Sequence, residues 1–423
     1  MSAPAPRQSA VRTALAGLIG NVLEWFDFAV YGYFAKDIGK LFFPSSDPTA
    51  STLLAYVVLL LGFVARPAGS IVLGLVGDRI GRRALLTVSI ALMGGATLVI
   101  GVLPTYDSIG VAAPILLIIC RLVQGFSLGG EFTGSMVYTT ELASPLMRGL
   151  VSSSTAAGVT LGFILGAFSA YLVNTTLGPV DAGAWGWRIP FIASFSFCIA
   201  GYFLRKGIHE SEAGEKAAAT RVPWLASLAA DWKPIVQTFG IVSLTNAAYY
   251  LSFQYAVDYR KGLKGADASD FYLASMIVLF VVLFAKPLGG WLSDKTGRRK
   301  LMLALQVLLM IAVVPAYNIM LTGSMGTFML GQAMIALPLG MALGLQGAMV
   351  VEIFPLRTRV TSMSIAYSAT LAISGGALPL VAEWLKSQSS YPLVPAFYVL
   401  IYGVIGLAIM ATMRETNHRS LNE

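Results

Sequence analysis

The chain has 423 residues, of which 56% are hydrophobic and only 12% charged, and its mean hydropathy is +0.74. Water-soluble proteins carry about 25% charged residues, so this composition excludes an ordinary soluble fold and points to a polytopic membrane protein. The net charge of +8 comes from short Lys/Arg clusters between apolar runs, where orientation in a bilayer explains them better than a nucleic-acid partner does.

Apolar runs of about twenty residues match the length a helix needs to cross ~30 Å of hydrocarbon. In chain order they predict spans at 14–35, 53–77, 84–103, 112–139, 149–174 and 188–205, then 234–257, 271–293, 300–321, 325–351, 360–384 and 393–413. The first is expected to stay in the mature protein as a span, because Glu24 and Asp27 interrupt it and apolar character continues to Phe34, unlike a cleaved leader. Gly125 and Gly129 on the fourth span, and Gly158, Gly162 and Gly166 on the fifth, recur every four residues, which close helix packing in lipid explains. The single long polar stretch, 206–233, links a six-helix bundle at 1–205 to a second at 234–423; its Glu210, Glu212, Glu215 and Lys216 read as a solvated surface helix. Cys120 and Cys198 lie in apolar runs without ligand partners nearby, so no disulfide, metal or cofactor is expected. Lys and Arg concentrate in the segments on one face, which predicts that both termini lie in the cytoplasm.

The two halves repeat each other. Gly74-Leu-Val-Gly-Asp78-Arg-Ile-Gly81-Arg82-Arg83 ends the second span, and Gly290-Trp-Leu-Ser-Asp294-Lys-Thr-Gly297-Arg298-Arg299 ends the eighth, 216 residues on. Glu141 and Arg148 after the fourth span match Glu352 and Arg359 after the tenth, 211 residues on. Two six-span units of equal orientation are parallel repeats, the arrangement of transporters that rock one half against the other. The two glycines permit tight turns, and the Asp, Glu and Arg side chains of these loops are expected to form a conformational latch across the cytoplasmic face. The arginines serve equally well as topology anchors.

Ionisable groups at bilayer depth cost ~2.5–3.5 kcal/mol each, which makes them functional candidates. Here they are Glu24, Asp27, Arg66, Arg121, Glu131 and Lys286. Glu24, Asp27 and Tyr31 share one face of the first span, expected to point at a central cavity. Two carboxylates this close repel when both are ionised, so one is expected to hold a proton; Glu24, Asp27 and Glu131 are the proton-coupling candidates. The competing reading pairs Glu24 with Arg66 or Arg121 as a structural lock. Arg66 offers a planar fork for a substrate carboxylate, with Arg121 and Lys286 as further candidates. On the seventh span Asn246, Tyr249, Tyr250, Phe253 and Gln254 form a stripe, either packing or a cavity wall whose rings attract a cationic nitrogen; Trp25 and Phe26 could serve likewise.

The paired Asp-Arg-x-Gly-Arg-Arg motifs resemble the signature of the major facilitator superfamily. Gly20-Asn21-Val-Leu-Glu24-Trp25-Phe26-Asp27-Phe28, Phe42-Phe43-Pro44, Arg66-Pro67, Gln124-Gly125-Phe126-Ser127-Leu-Gly129-Gly130-Glu131 and Trp185-Gly186-Trp187-Arg188-Ile-Pro190 resemble its metabolite:proton symporter family. That family includes importers of 2-oxoglutarate, citrate, shikimate and the osmolytes proline and betaine. Thr245-Asn246-Ala-Ala-Tyr249-Tyr250 and Met413-Arg-Glu-Thr416-Asn are most similar to its proline/betaine osmolyte branch. That branch has a coiled-coil extension and a neutral residue in place of Lys286, so the resemblance does not carry osmotic sensing over to this sequence and implies a more anionic substrate. The drug:proton antiporters place a Gly-Pro pair where Gly162 is followed by Phe163, which argues against drug export.

The sequence therefore predicts a monomeric, all-α protein of the inner membrane with twelve transmembrane helices. It would import a small carboxylate-bearing metabolite with protons, or alternatively a zwitterionic osmolyte, by alternating access. An enzyme would need a nucleophile and base or a metal cluster, and His209 and His418 both lie in polar segments. A channel has no need of parallel repeats.

Overall fold

The computed structural model describes residues 10–80, 82–129, 131–205, 224–261, 268–322, 324–389, 391–417, 419 and 421. Most of the linker, with His209 and the Glu210–Lys216 stretch, lies outside them, as does His418. The side chains of Asp78, Arg82, Arg83 and Cys198 also lie outside what is described.

Every predicted span is helical, and no strand occurs among the described residues. Hydrocarbon offers backbone groups no hydrogen-bond partners, so a chain this apolar must satisfy them within each crossing segment. Six spans of the first half run over Ala10–Tyr33, Pro48–Ile80, Arg82–Val102, Ala112–Leu142, Arg148–Asp181 and Arg188–Arg205. In the second half the seventh begins at Trp232–Tyr250, followed by Ala268–Thr296, Arg298–Leu321, Met325–Ile353, Arg359–Gln388 and Val394–Ala411. Wide π turns at Leu251–Tyr255 and Ala372–Gly376 interrupt the seventh and eleventh spans where those two helices meet the first half. An extra residue per turn re-aims the side chains beyond it, and such turns recur at functional sites.

Glycines set how closely the helices approach. A Cβ at Gly125 would stand 1.9 Å from Gly62 O, and one at Gly69 would stand 1.9 Å from Phe126 O, so the second and fourth spans touch backbone to backbone. The fifth span lies against the first in the same way, through Gly158 on Leu18 O and Gly162 on Val22 O. The four-residue glycine periods are packing seams, as expected. Gly125→Ala should therefore destabilise by the ~1–3 kcal/mol typical of overpacking, read as a lower melting temperature in a thermal-shift assay. Gly134→Ala, where a Cβ meets nothing within 4 Å, is the control that should leave the melt unchanged.

Candidate functional site

The halves meet at three levels. At the face carrying the repeated loops, Arg298 is fully buried and grips Glu352 with two bonds, Nε to Oε2 at 2.6 Å and Nη2 to Oε1 at 2.8 Å. Its Nη1 also donates to Asp294 Oδ1 at 3.0 Å. Asp294 in turn reaches across to the other half, accepting from the backbone N–H of Gly149 at 2.8 Å and of Leu150 at 2.9 Å. An anion thus sits at the positive N-terminal end of the fifth span, where unpaired N–H groups converge. Arg359 pairs with Glu141 at 2.7 Å, and Arg148 stands 4.0 Å from Glu352. These last two contacts are copies of each other: the Arg of each repeat meets the Glu of the other. Arg299 does not join this cluster. It donates to Met410 O and Ala411 O, closing the C-terminal end of the twelfth span. Glu415 accepts from the N–H groups of Arg298 and Arg299, and of Thr416 and Asn417. Partial burial raises the Glu415 carboxyl, but these four backbone donors outweigh it and hold the group below its usual range.

Halfway through the bundle lies a cavity bounded by six rings, Trp25, Phe132, Phe163, Tyr249, Tyr250 and Tyr367, and by Asn246, Gln346 and Lys286. Its free volume is about 30 Å³, room for a water or two and not for a metabolite. Lys286 is buried and its Nζ donates to Ala156 O at 2.5 Å and to Thr160 Oγ1, both on the fifth span of the opposite half. Gln346 ties two walls together, donating to Tyr367 OH and accepting from Thr245, each at 2.9 Å.

The far face is closed as well. Tyr56 OH donates to the Asp258 carboxylate, Lys36 Nζ donates to Asp258 O at 2.6 Å, and Tyr272 OH donates to Tyr33 O at 3.0 Å. Beside them Tyr255 OH donates to Glu383 at 2.9 Å. Among the described residues the halves thus touch on both sides of this small cavity.

Among the intramembrane charges, Glu24 meets Arg66 as the competing reading of a structural lock has it. Glu24 and Asp27 are buried and are not among the cavity-lining residues; Trp25, between them, is. Glu24 pairs with Arg66 at 2.9 Å, and Asp27 pairs with Arg121 at 3.0 Å. The reason is electrostatic: a buried guanidinium and a buried carboxylate each cost several kcal/mol alone, and pairing offsets most of it. Arg66, expected to hold a substrate carboxylate, is thus committed to Glu24 inside a cage of Trp25, Phe28 and Phe63 at 4.7–5.0 Å. Arg121 lies over the Tyr31 ring at 3.8 Å, while Tyr31 OH donates to Ala55 O; neither reaches the cavity. Gln124, on the turn after Arg121, donates to Asp27 at 2.8 Å and to Thr97 at 2.7 Å. Glu131 opens the second helical segment of the fourth span, half-buried and outside the cavity lining.

Of the seventh-span stripe, Asn246, Tyr249 and Tyr250 line the cavity. Phe253 packs on Tyr249 at 5.4 Å, and the Gln254 amide lies against Gly32 of the first span, so neither is a wall residue. The Phe26 backbone nitrogen lies against Gly162 of the fifth span, and Phe26 is not among the cavity-lining residues. Sequence reasoning missed the far-face residues, because Lys36 and Asp258 each fall one residue beyond the apolar runs ending at 35 and 257. It also missed a signal in plain view: Ala65-Arg66-Pro67-Ala-Gly69 is matched by Ala285-Lys286-Pro287-Leu-Gly289.

Two six-helix repeats clasped by reciprocal Glu–Arg pairs about a midway cavity agree with the family comparisons. The family model described as Sugar (and other) transporter matches residues 13–223, and that described as Major Facilitator Superfamily matches 235–423. The chain belongs to the major facilitator superfamily. The proline/betaine transporter of Escherichia coli is 33% identical over 96% of this chain and 84% of its own length. The citrate-proton symporter of Klebsiella pneumoniae is also 33% identical, over 92% of this chain and 88% of its own. Relatives of both kinds accord with the resemblance to the metabolite:proton symporter family, and this major facilitator is a multi-pass membrane transporter. Among solved structures, the proton:xylose symporter XylE bound to 6-bromo-6-deoxy-D-glucose superposes with a TM-score of 0.76 at 18% identity, covering 98% of each chain, which shows the fold.

Proposed function

We propose that this major facilitator imports a small carboxylate-bearing metabolite together with protons across the inner membrane, with both termini in the cytoplasm. The observation that carries the reading is Lys286. It is the one cation among the described cavity-lining residues, and it sits where the halves meet, so a carboxylate bound there touches the moving boundary. Proton coupling falls to Asp27, whose network of Arg121, Gln124 and Thr97 changes when the carboxylate gains a proton. The six-ring wall favours a second reading, a zwitterion such as proline or betaine, because aromatic faces attract a cationic nitrogen while Lys286 takes the carboxylate.

A thermal-shift screen of the purified protein against mono-, di- and tricarboxylates, betaines and the matching amides tests the substrate class. Ligands that bind only the folded state raise its melting temperature. Carboxylates should do so and their amides should not. Uptake of a hit into right-side-out vesicles should rise on external acidification and collapse with a protonophore. Sodium-dependent uptake indifferent to the protonophore would overturn the coupling.

A further inference from the structure

Arg66 and Lys286 each stand in an Ala-Arg/Lys-Pro-x-Gly stretch, Arg66 twelve residues before Asp78 and Lys286 eight before Asp294, so the two match in local motif with a shift of about one helical turn against the repeated loops. The packing repeats with the sequence: a Cβ at Gly69 would stand 1.9 Å from Phe126 O of the fourth span, and one at Gly289 would stand 2.1 Å from Met341 O of the tenth. What differs is the counter-charge. Arg66 has Glu24 of its own half at 2.9 Å. Lys286 is equally buried, yet among the described residues no carboxylate pairs with it. Its ammonium instead crosses to the fifth span and takes Ala156 O and Thr160 Oγ1. These two oxygens are four residues apart, one turn along a single helix, so one ammonium reaches both. Side by side they reproduce the twin acceptors of a carboxylate without its charge.

We propose that Ala156 O and Thr160 Oγ1 are an internal stand-in for the substrate carboxylate, receiving Lys286 whenever the halves close with no solute between them. The proposal rests on the reading of Lys286 as the carboxylate's partner. Burying an ammonium without acceptors is costly, and a cavity of about 30 Å³ holds no metabolite to supply them. A symporter must nevertheless return its binding site across the membrane after each delivery. On the loaded stroke the solute carboxylate satisfies Lys286; on the return stroke the fifth-span oxygens do. Exchanging one for the other also releases a bond between the halves, so solute arrival frees the eighth span from the fifth. Thr160 is in this account a positioning residue that acts through Lys286.

The test separates the two strokes. Native protein, Thr160→Val and Thr160→Ser are reconstituted in proteoliposomes with radiolabelled proline, glycine betaine, succinate and citrate as probes. Net uptake requires the solute-free return, whereas counterflow, exchange of labelled for unlabelled solute, does not. Thr160→Val should lower net uptake roughly tenfold or more, the scale of one lost hydrogen bond to a charged group. It should leave counterflow within about twofold, with a lower half-saturation because Lys286 is less engaged; Thr160→Ser should restore net uptake. Should the valine variant fail to fold, Thr160→Ala takes its place, and counterflow itself certifies folding. Equal loss of both fluxes, or unchanged net uptake, overturns the stand-in while leaving the carboxylate reading intact. If native protein carries none of the four probes in either assay, the carboxylate reading fails and the stand-in with it.

Discussion

In the Asp27→Asn protein, solute accumulation driven by an inward proton gradient should fall at least about tenfold, while counterflow of the same solute persists. An amide keeps the shape and can still accept from Gln124 Nε2, now 2.8 Å from Asp27 Oδ2, but it neither takes up nor releases a proton at any working pH. The substitution leaves the Arg121 guanidinium buried without its anion, and breaking a buried pair from one side costs about 3–5 kcal/mol. The stack of Arg121 on the Tyr31 ring at 3.8 Å offsets part of that. Asp27→Asn/Arg121→Gln, neutral on both sides, should therefore melt higher than Asp27→Asn alone yet remain uncoupled. Normal accumulation by Asp27→Asn, together with its loss in Glu24→Gln, would transfer the coupling role to the Glu24–Arg66 pair.

Glu352→Gln should open the loop-motif face. Glu352 takes two of the bonds from a fully buried Arg298 of its own half, which in turn donates to the Asp294 that holds the fifth span, and it is the near acid for Arg148 of the other half, so its neutralisation weakens the contacts where the halves meet. A loss of about 1.4 kcal/mol falling on the closed state alone shifts the balance between closed and open roughly tenfold. A cysteine placed at Ser152 reports it. Ser152 is buried one turn inside the clasp, its oxygen 2.8 Å from where a Cβ on Gly347 would lie. With Cys120 and Cys198 replaced by serine, maleimide should label Ser152→Cys much faster in the Glu352→Gln background. A labelling rate unchanged by Glu352→Gln means that Arg298 and Glu352 brace their own half and do not hold the face shut.

The fold was readable from the sequence because lipid leaves a chain few choices: runs of about twenty apolar residues, a repeated loop and one polar break define twelve helices in two bundles. The clasp was readable for the same reason, since Asp294, Glu141, Arg148, Glu352 and Arg359 recur at fixed offsets in loops whose positions the spans determine. The interior charges were not. Spacing places Glu24 and Asp27 on one side of the first helix, but it does not say whether that side faces the cavity or the neighbouring helices, and the answer depended on where Arg66 and Arg121 lie in space. Lys286 stands out in the sequence as a charge within an apolar run, whereas its acceptors, a backbone carbonyl and one of many threonines, carry no signature at all. Gln254 followed the helical period of its neighbours until the π turn at Leu251–Tyr255 rotated it out of line.

The glycine seams and the cavity wall share no residues. Gly149 and Gly290 bring the fifth and eighth spans together so tightly that a Cβ on either would stand 2.4 Å from the carbonyl oxygen of the other. Gly125 and Gly69 do the same within the first half. The wall, by contrast, is made of longer side chains such as Asn246, Gln346 and Tyr367, on the seventh, tenth and eleventh spans. Such a division makes the carrier a chassis with an exchangeable fitting: a few substitutions at the wall could retune which solute is accepted, by charge or by girth, while the moving parts keep their tolerances. Redesign of cargo should accordingly begin at positions 246, 346 and 367 and leave every glycine of the seams untouched.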